Sequence, residues 1–137
     1  MSLYHFTDSR NIGSIKEHGL HSWWRLLGKQ IEFFPASTRE SRNMDQRKGL
    51  HNYVRLCREP YHPMAYVAKN EGRIGYYQWL EIDESVVSWN STKFSDINAV
   101  ANNAEVGDDL KIFEESDDPQ AEVLVYGSLN TNWITFP

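Results

Sequence analysis

The chain predicts an α+β fold built on a mainly antiparallel sheet. Two observations carry this: short runs with strand character recur along the whole length, and only two or three short helical segments lie among them. A third sets the scale. At 137 residues, with 40% hydrophobic and 13% aromatic side chains, the chain is a single domain (residues 1–137) with a core of its own rather than a disordered segment.

Taken in order, Leu3 to Phe6 reads as a first strand. Asp8 or Ser9 can cap a helix, because a side-chain oxygen there accepts from a free amide of the first turn. Ile12 and Ile15 continue at helical spacing until Gly19, a C-cap glycine followed by Leu20 as the usual hydrophobic contact. Trp23, Trp24, Leu26 and Leu27 form an aromatic-rich patch of core or lid type. Residues 35–50 are polar and lack apolar periodicity, which predicts a loop or short helical pieces. Tyr53 to Leu56 is a strand. Pro60 and Pro63 bracket a turn before Met64 to Ala68, a short helix or strand. Tyr76 to Ile82 alternates as a strand, and so does Val86 to Trp89. Phe94 to Asp109 predicts an irregular polar loop with a helical piece at Ala99 to Ala104. Gln120 to Tyr126 and Trp133 to Phe136 supply the last strands.

Charge and cysteine content narrow the classes. No apolar run is long enough to span a bilayer, and no basic-then-apolar leader opens the chain, so a cytoplasmic protein without a membrane partner is expected. Cys57 is the single cysteine; it excludes an internal disulfide and a cysteine-based zinc cage, and reads as a small, partly buried hydrophobe. His18, His21, His51 and His62 are scattered without metal-site spacing, so no metal is expected. The net charge of −5 does not announce a nucleic-acid binder, yet residues 25–58 hold eight basic against three acidic residues. Such a segment suits either a phosphate-bearing strand or a solvated helix face, and charge alone does not choose.

One acidic residue stands apart. Glu122 lies within Gln120-Ala-Glu-Val-Leu-Val125, where alternation puts it on one face with Gln120 and Leu124. A carboxylate at a half-buried strand start can be held in a cleft; the alternative is an edge-strand glutamate in water. Leu3-Tyr4-His5-Phe6-Thr7, at the other end of the chain, offers it a partner.

Tyr4-His5-Phe6-Thr7, then Asn11-Ile-Gly-Ser-Ile15 and His18-Gly-Leu20, resembles the opening of ADP-ribosyltransferases: a strand carrying His-x-Thr or His-x-Ser, then a helix ending in Gly-Leu. Leu50-His-Asn-Tyr-Val54, His62-Pro-Met-Ala-Tyr66, Phe94-Ser-Asp-Ile-Asn-Ala99 and Gln120-Ala-Glu-Val-Leu-Val125 follow in the order and approximate spacing of the DarT family. These are DNA-modifying ADP-ribosyltransferase toxins paired with macrodomain antitoxins, and the likeness runs over nearly the whole chain. It implies the compact ADP-ribosyltransferase fold, with a split antiparallel sheet, and NAD as co-substrate. It makes Glu122 the catalytic glutamate. His5 and Thr7 match positions that hold the adenosine and nicotinamide parts of NAD, with Phe6, Gly13, Gly19 and Leu20 in the same binding set. Tyr66 falls in the segment lining the nicotinamide pocket. The family also uses an arginine before Leu50; Arg42 is the first choice, with Arg39 and Arg47 as alternatives. Two segments that shape the family's substrate groove, before Leu50 and between Ala99 and Gln120, are short in this chain.

The chemistry implied is cleavage of the nicotinamide–ribose bond through an oxocarbenium-like state. A fixed, ionised Glu122 accepting from the ribose 2′-OH gains strength as positive charge develops on the sugar. The His5 ring is expected to donate to the adenosine ribose, and Arg42 to stabilise an anionic acceptor or clamp the pyrophosphate. Arg39, Arg47, Lys48, Tyr53 and His62 are candidates for holding the acceptor, and Tyr4, Tyr53 and Tyr61 for stacking on a base. A base modified at its pairing edge must be out of a duplex, which favours single-stranded DNA. The expectation is therefore a monomeric toxin that ADP-ribosylates single-stranded DNA. Its rivals are transfer to RNA or protein, NAD hydrolysis, and a non-catalytic module binding NAD or nucleic acid.

Overall fold

The computed structural model describes residues 2–60, 63–72 and 76–137. The first strand, β1 (Leu3–Asp8), ends at a fully buried aspartate whose carboxylate accepts from the Arg10 amide at 2.8 Å and so caps a single 3-10 turn. Helix α1 (Ile12–His18) buries Ile15 and stops at Gly19. There φ is +84°, and a Cβ would lie 2.7 Å from the Leu129 carbonyl oxygen, so both the dihedral and the close approach require glycine. The short strand β2 (Leu20–His21) leads into α2 (Trp23–Gly28), capped by Ser22. Next come α3 (Arg39–Lys48), β3 (Tyr53–Leu56), α4 (Pro63–Asn70) and β4 (Tyr77–Ile82). The C-terminal third holds β5 (Lys93–Ser95), β6 (Val106–Gly107), α5 (Lys111–Glu114), β7 (Glu122–Tyr126), β8 (Ser128–Leu129) and β9 (Ile134–Thr135).

Among the described residues every strand pairing is antiparallel. The described residues form a three-stranded sheet in the order β1-β4-β9, a four-stranded sheet in the order β3-β7-β5-β6, and the small ladder β2-β8. The two larger sheets meet at one bridge, where Tyr4 and Cys57 exchange backbone hydrogen bonds of 2.8 Å in each direction. Pairing between β1 and β3 goes no further, and this leaves the sheet split. Leu3, Leu56, Leu80, Ile82, Val123 and Phe94 pack beneath the join in the main core, all 2% exposed or less. Among the described residues, no helix is long and apolar enough to cross a membrane.

Several elements differ from expectation, each for a local reason. Residues 39–48 form a regular helix rather than loose pieces: Thr38 Oγ1 accepts from the Ser41 amide at 3.1 Å, and left-handed Gly49 (φ +72°) ends it. Its buried position is Asp45, so no apolar stripe betrays it. Val86 to Ser88 belong to a 3-10 turn, Glu84–Ser88, which Trp89 follows as the C-cap and which is held by the Asp83 carboxylate on the Ser85 amide at 2.8 Å. The tryptophan patch is α2, Met64 to Ala68 is helical, and Ala99 to Ala104 is a series of turns without a helix. Gln120 lies in a turn ahead of β7, its amide donating to Asp118 at 2.7 Å.

Candidate active site

A cavity of about 250 Å³ lies between β1 and β3, lined on one side by Tyr4 to Thr7 and on the other by Tyr53 to Cys57 and Glu122. Helix α3 reaches it through Ser41 and Asp45, and the Gly19–Leu20 turn and the Phe33–Ser37 segment close the remainder.

On the β1 side the groups that line the cavity are neutral. The His5 Nδ1–H donates to the Arg55 carbonyl at 2.8 Å, and burial pushes the imidazole below its ordinary range, against the raising effects of that carbonyl and of the Glu122 charge. A neutral ring with its proton on Nδ1 leaves Nε2 as an acceptor. Asn11 fastens the wall: its Nδ2 donates to Thr7 Oγ1 at 3.0 Å and to the Phe34 carbonyl at 2.9 Å, while its Oδ1 accepts from the Phe34 amide at 2.9 Å. Arg10 lies 3.9 Å over the Phe34 ring. The Phe33–Ser37 segment is thereby tied to β1 and α1.

The opposite side is charged. β7 runs between β3 and β5, so Glu122 sits on an interior strand and is 7% exposed; the edge-strand alternative does not hold. Its amide donates to Ser95 Oγ at 3.2 Å. Its Oε1 accepts from Arg55 Nη1 at 2.9 Å and from the Ala99 amide at 2.9 Å. Arg55 faces Leu124 across the β3–β7 ladder, which puts it on the Glu122 face one diagonal step away. Its Nη2 donates to Asp45, whose other oxygen accepts from Trp23 Nε1 at 3.1 Å. Burial raises the Asp45 carboxyl above the usual carboxylate range, while Arg55 and Trp23 pull it back and Glu122 adds to the rise. Cys57 is buried and its thiol pushed up to about 12, which makes it inert.

Of the residues singled out from sequence, His5, Phe6, Thr7, Gly19, Leu20, Tyr53 and Glu122 share this one cavity. Others stand elsewhere. Gly13 is on the exposed side of α1 with nothing within 4 Å of where a Cβ would be. Tyr66 is 44% exposed on α4, edge-on to Tyr77. Arg42 turns its Nη1 to the Ser37 carbonyl (2.8 Å) and hydroxyl (3.0 Å), fixing the segment that borders the cavity without lining it. Arg39 and Arg47 are exposed on α3, whereas Lys48 donates to the Ala99 (2.9 Å) and Ala101 carbonyls. His62 and Tyr61 lie outside the described residues. Arg55 and Asp45 were given no role from sequence, and Asn11 stood only within the Asn11–Ile15 motif. The available signal for Arg55 was its alternation with Val54 and Leu56, which sets a charge on the non-core face of a strand.

With this geometry in place, residues 4–118 match the family described as ssDNA thymidine ADP-ribosyltransferase, DarT. The chain belongs to the DarT family. Among solved structures, Thermosipho africanus DarTG in complex with ADP-ribose is similar with a TM-score of 0.80 at 17% identity, over 98% of this chain and 42% of that one. Thermus sp. 2.9 DarT in complex with ADP-ribosylated ssDNA is similar with a TM-score of 0.72 at 21% identity, over 97% of this chain and 78% of that one. The same Thermus protein in complex with NAD+ gives 0.65 at 23% identity, again over 97% and 78%. At these identities the likeness is one of fold, and this chain spans less than half of the Thermosipho protein. Among curated proteins there is no match. Within the DarT fold seen here, Glu122 and the His5–Thr7 strand face each other across the split in the sheet.

Proposed function

We propose that this chain transfers ADP-ribose from NAD to thymidine in single-stranded DNA. The observation that carries the reading is the state of Glu122: one carboxylate oxygen is tied by Arg55 and Ala99, and the other is left for a cavity that His5 and Thr7 share. NAD binds with its nicotinamide ribose beside Glu122. As the bond to nicotinamide breaks, the electron pair leaves with the neutral nicotinamide, and Oε2 stabilises the positive sugar through its 2′-OH. A base nitrogen then bonds to the anomeric carbon and gives up its proton, for which Glu122 is the nearest base. His5 serves binding, its Nε2 accepting from a ribose hydroxyl. Arg42 acts through Ser37, keeping the cavity border in place.

The solved relatives, a DarTG protein with ADP-ribose and a DarT with ADP-ribosylated ssDNA, support a DNA strand as the acceptor of this chain, and the family resemblance adds a macrodomain antitoxin as its partner. The test is incubation with labelled NAD and four acceptors: single-stranded DNA with thymidine, the same strand without it, RNA and protein. Label on the thymidine strand alone is expected. Label on RNA or protein reassigns the acceptor, and nicotinamide release without any labelled polymer makes the chain an NAD hydrolase.

A further inference from the structure

We propose that Arg55 and Asp45 are positioning residues for Glu122, with Arg55 turning one carboxylate oxygen toward the reacting sugar and Asp45 keeping that wall of the cavity net negative. The inference rests on the transferase reading of the site. Both hydrogen bonds to the Glu122 side chain end on Oε1, and among the described residues Oε2 has no partner. A carboxylate held at one oxygen cannot rotate freely, so the second oxygen is preorganised without competition from a protein donor. Only a planar guanidinium fits this task from β3, since its two terminal nitrogens reach Glu122 and Asp45 at the same time. The three side chains are 22%, 10% and 11% exposed for Arg55, Glu122 and Asp45, so water screens them weakly.

Asp45 answers an electrostatic problem that Arg55 creates. A lone guanidinium against Glu122 would make the pair neutral just where positive charge develops on the sugar, and much of the carboxylate's effect would be cancelled. With Asp45 on the other terminal nitrogen, the group of three carries a net charge of −1. Trp23 Nε1 and Arg55 Nη2 each take one oxygen of Asp45, which fixes that second carboxylate in the cavity lining.

Four variants test this: Arg55→Lys, Arg55→Met, Asp45→Asn and the double variant Asp45→Asn/Arg55→Met, which leaves no unpaired buried charge beside Glu122. Nicotinamide release and transfer to thymidine DNA are followed against NAD concentration, with thermal unfolding alongside. We expect kcat to fall about 100-fold in Arg55→Met and in the double variant, with KM for NAD held within about threefold, because misplacing a reacting group by an ångström costs on this order. Arg55→Lys should restore little, as one ammonium does not span both carboxylates. Asp45→Asn should lower kcat about tenfold while keeping the bond to Arg55. The double variant should be no worse than Arg55→Met, since Asp45 acts through Arg55. A folded double variant with the kcat of the unmodified chain overturns the proposal, and so does a loss confined to KM. If the Arg55 variants do not fold, Asp45→Asn decides: unchanged kcat overturns it. Should the unmodified chain release no nicotinamide with any acceptor, the transferase reading falls and this assignment falls with it, an outcome read in a different sample.

Discussion

The two walls of the cavity are built on opposite principles. On the β1 side the groups that line the cavity are neutral, an imidazole without charge, a threonine hydroxyl and an asparagine amide, and the Asp8–Arg10 ion pair of 2.9 Å stands behind them outside the lining. On the β7 side the contacts are between full charges, Glu122, Arg55 and Asp45, held in a setting that excludes most water. A neutral wall recognises a ligand equally well before and during reaction. A charged wall responds to charge that appears only as a bond breaks, so on the proposed transferase reading the same pocket separates binding from rate. The walls are joined by the Tyr4–Cys57 bridge and by the His5 hydrogen bond to the Arg55 carbonyl.

The largest expected effect comes from the charged wall. Glu122→Gln keeps the shape and a hydrogen-bonding oxygen for Arg55 but removes the negative charge. Turnover should drop by about 10²–10³, the range found when one group stabilising transition-state charge is lost, while NAD affinity changes little. Turnover measured beside a thermal melt decides it. A folded Glu122→Gln protein that reacts normally would break the comparison at once.

The neutral wall should give the reverse pattern at smaller scale. His5→Ala should weaken binding of a non-reactive NAD analogue by roughly 3–10-fold, the equivalent of one net hydrogen bond of ~0.5–1.5 kcal/mol, with little change in the rate of the bound complex. The wall also carries a pH signature. His5 is held neutral in the fold, below the free value of 6.5, so its contribution to stability is complete above that pH. As pH falls below about 6.5, the unfolded chain takes up a proton that the folded chain resists, and stability declines through the folded value. Melting temperatures collected from pH 7.5 down to 5 should therefore fall less steeply in His5→Ala than in the unmodified chain. Equal slopes would assign the acid sensitivity to other groups.

How much of each wall was legible in the sequence follows from the same contrast. The β1 wall is written in nearly consecutive letters: Tyr4 to Thr7 on one strand, Asn11 a turn later, Gly19 and Leu20 at the helix end. Local patterns such as a cap, a C-cap glycine and strand alternation find residues of this kind. The charged wall is assembled from Asp45, Arg55 and Glu122, the first two 10 positions apart in sequence and the last two 67. Nothing local links them; the β3–β7 register does. Helix α3 escaped notice for a related reason, because the face it turns inward carries Ser41 and Asp45 toward the cavity instead of leucines. The basic segment also changed meaning once folded. Arg42, Lys48, Arg55 and Arg58 are each bonded to Ser37, to Ala99 and Ala101, to carboxylates, or to the Phe113 carbonyl. What read as one stretch of cations serves largely to hold the site's own backbone.

The smallest effect concerns the cations of that segment that do face outward. Helix α3 carries Asp45 into the charged wall and presents Arg39 and Arg47 on its solvent side, so a strand approaching that wall passes a helix with two exposed guanidinium groups. Each phosphate contact adds about 0.7 to the log–log slope of single-strand affinity against salt. Arg39→Gln/Arg47→Gln should therefore flatten the slope by about 1.4 and weaken binding most at low salt, without altering kcat at saturating DNA. Lys48 is the wrong residue to neutralise in this test, because its loss would free the Ala99–Ala101 turn whose amide holds Glu122. Arg42→Ala supplies the contrast: it releases Ser37 at the cavity border, so it should lower the rate on saturating DNA and leave the salt slope as it was. A salt titration of the unmodified chain, the double variant and Arg42→Ala separates long-range attraction from local geometry. An unchanged slope in the double variant would mean that the strand reaches the charged wall without crossing α3, and its path would then have to be sought along Tyr53 and Tyr126 on the neighbouring strands.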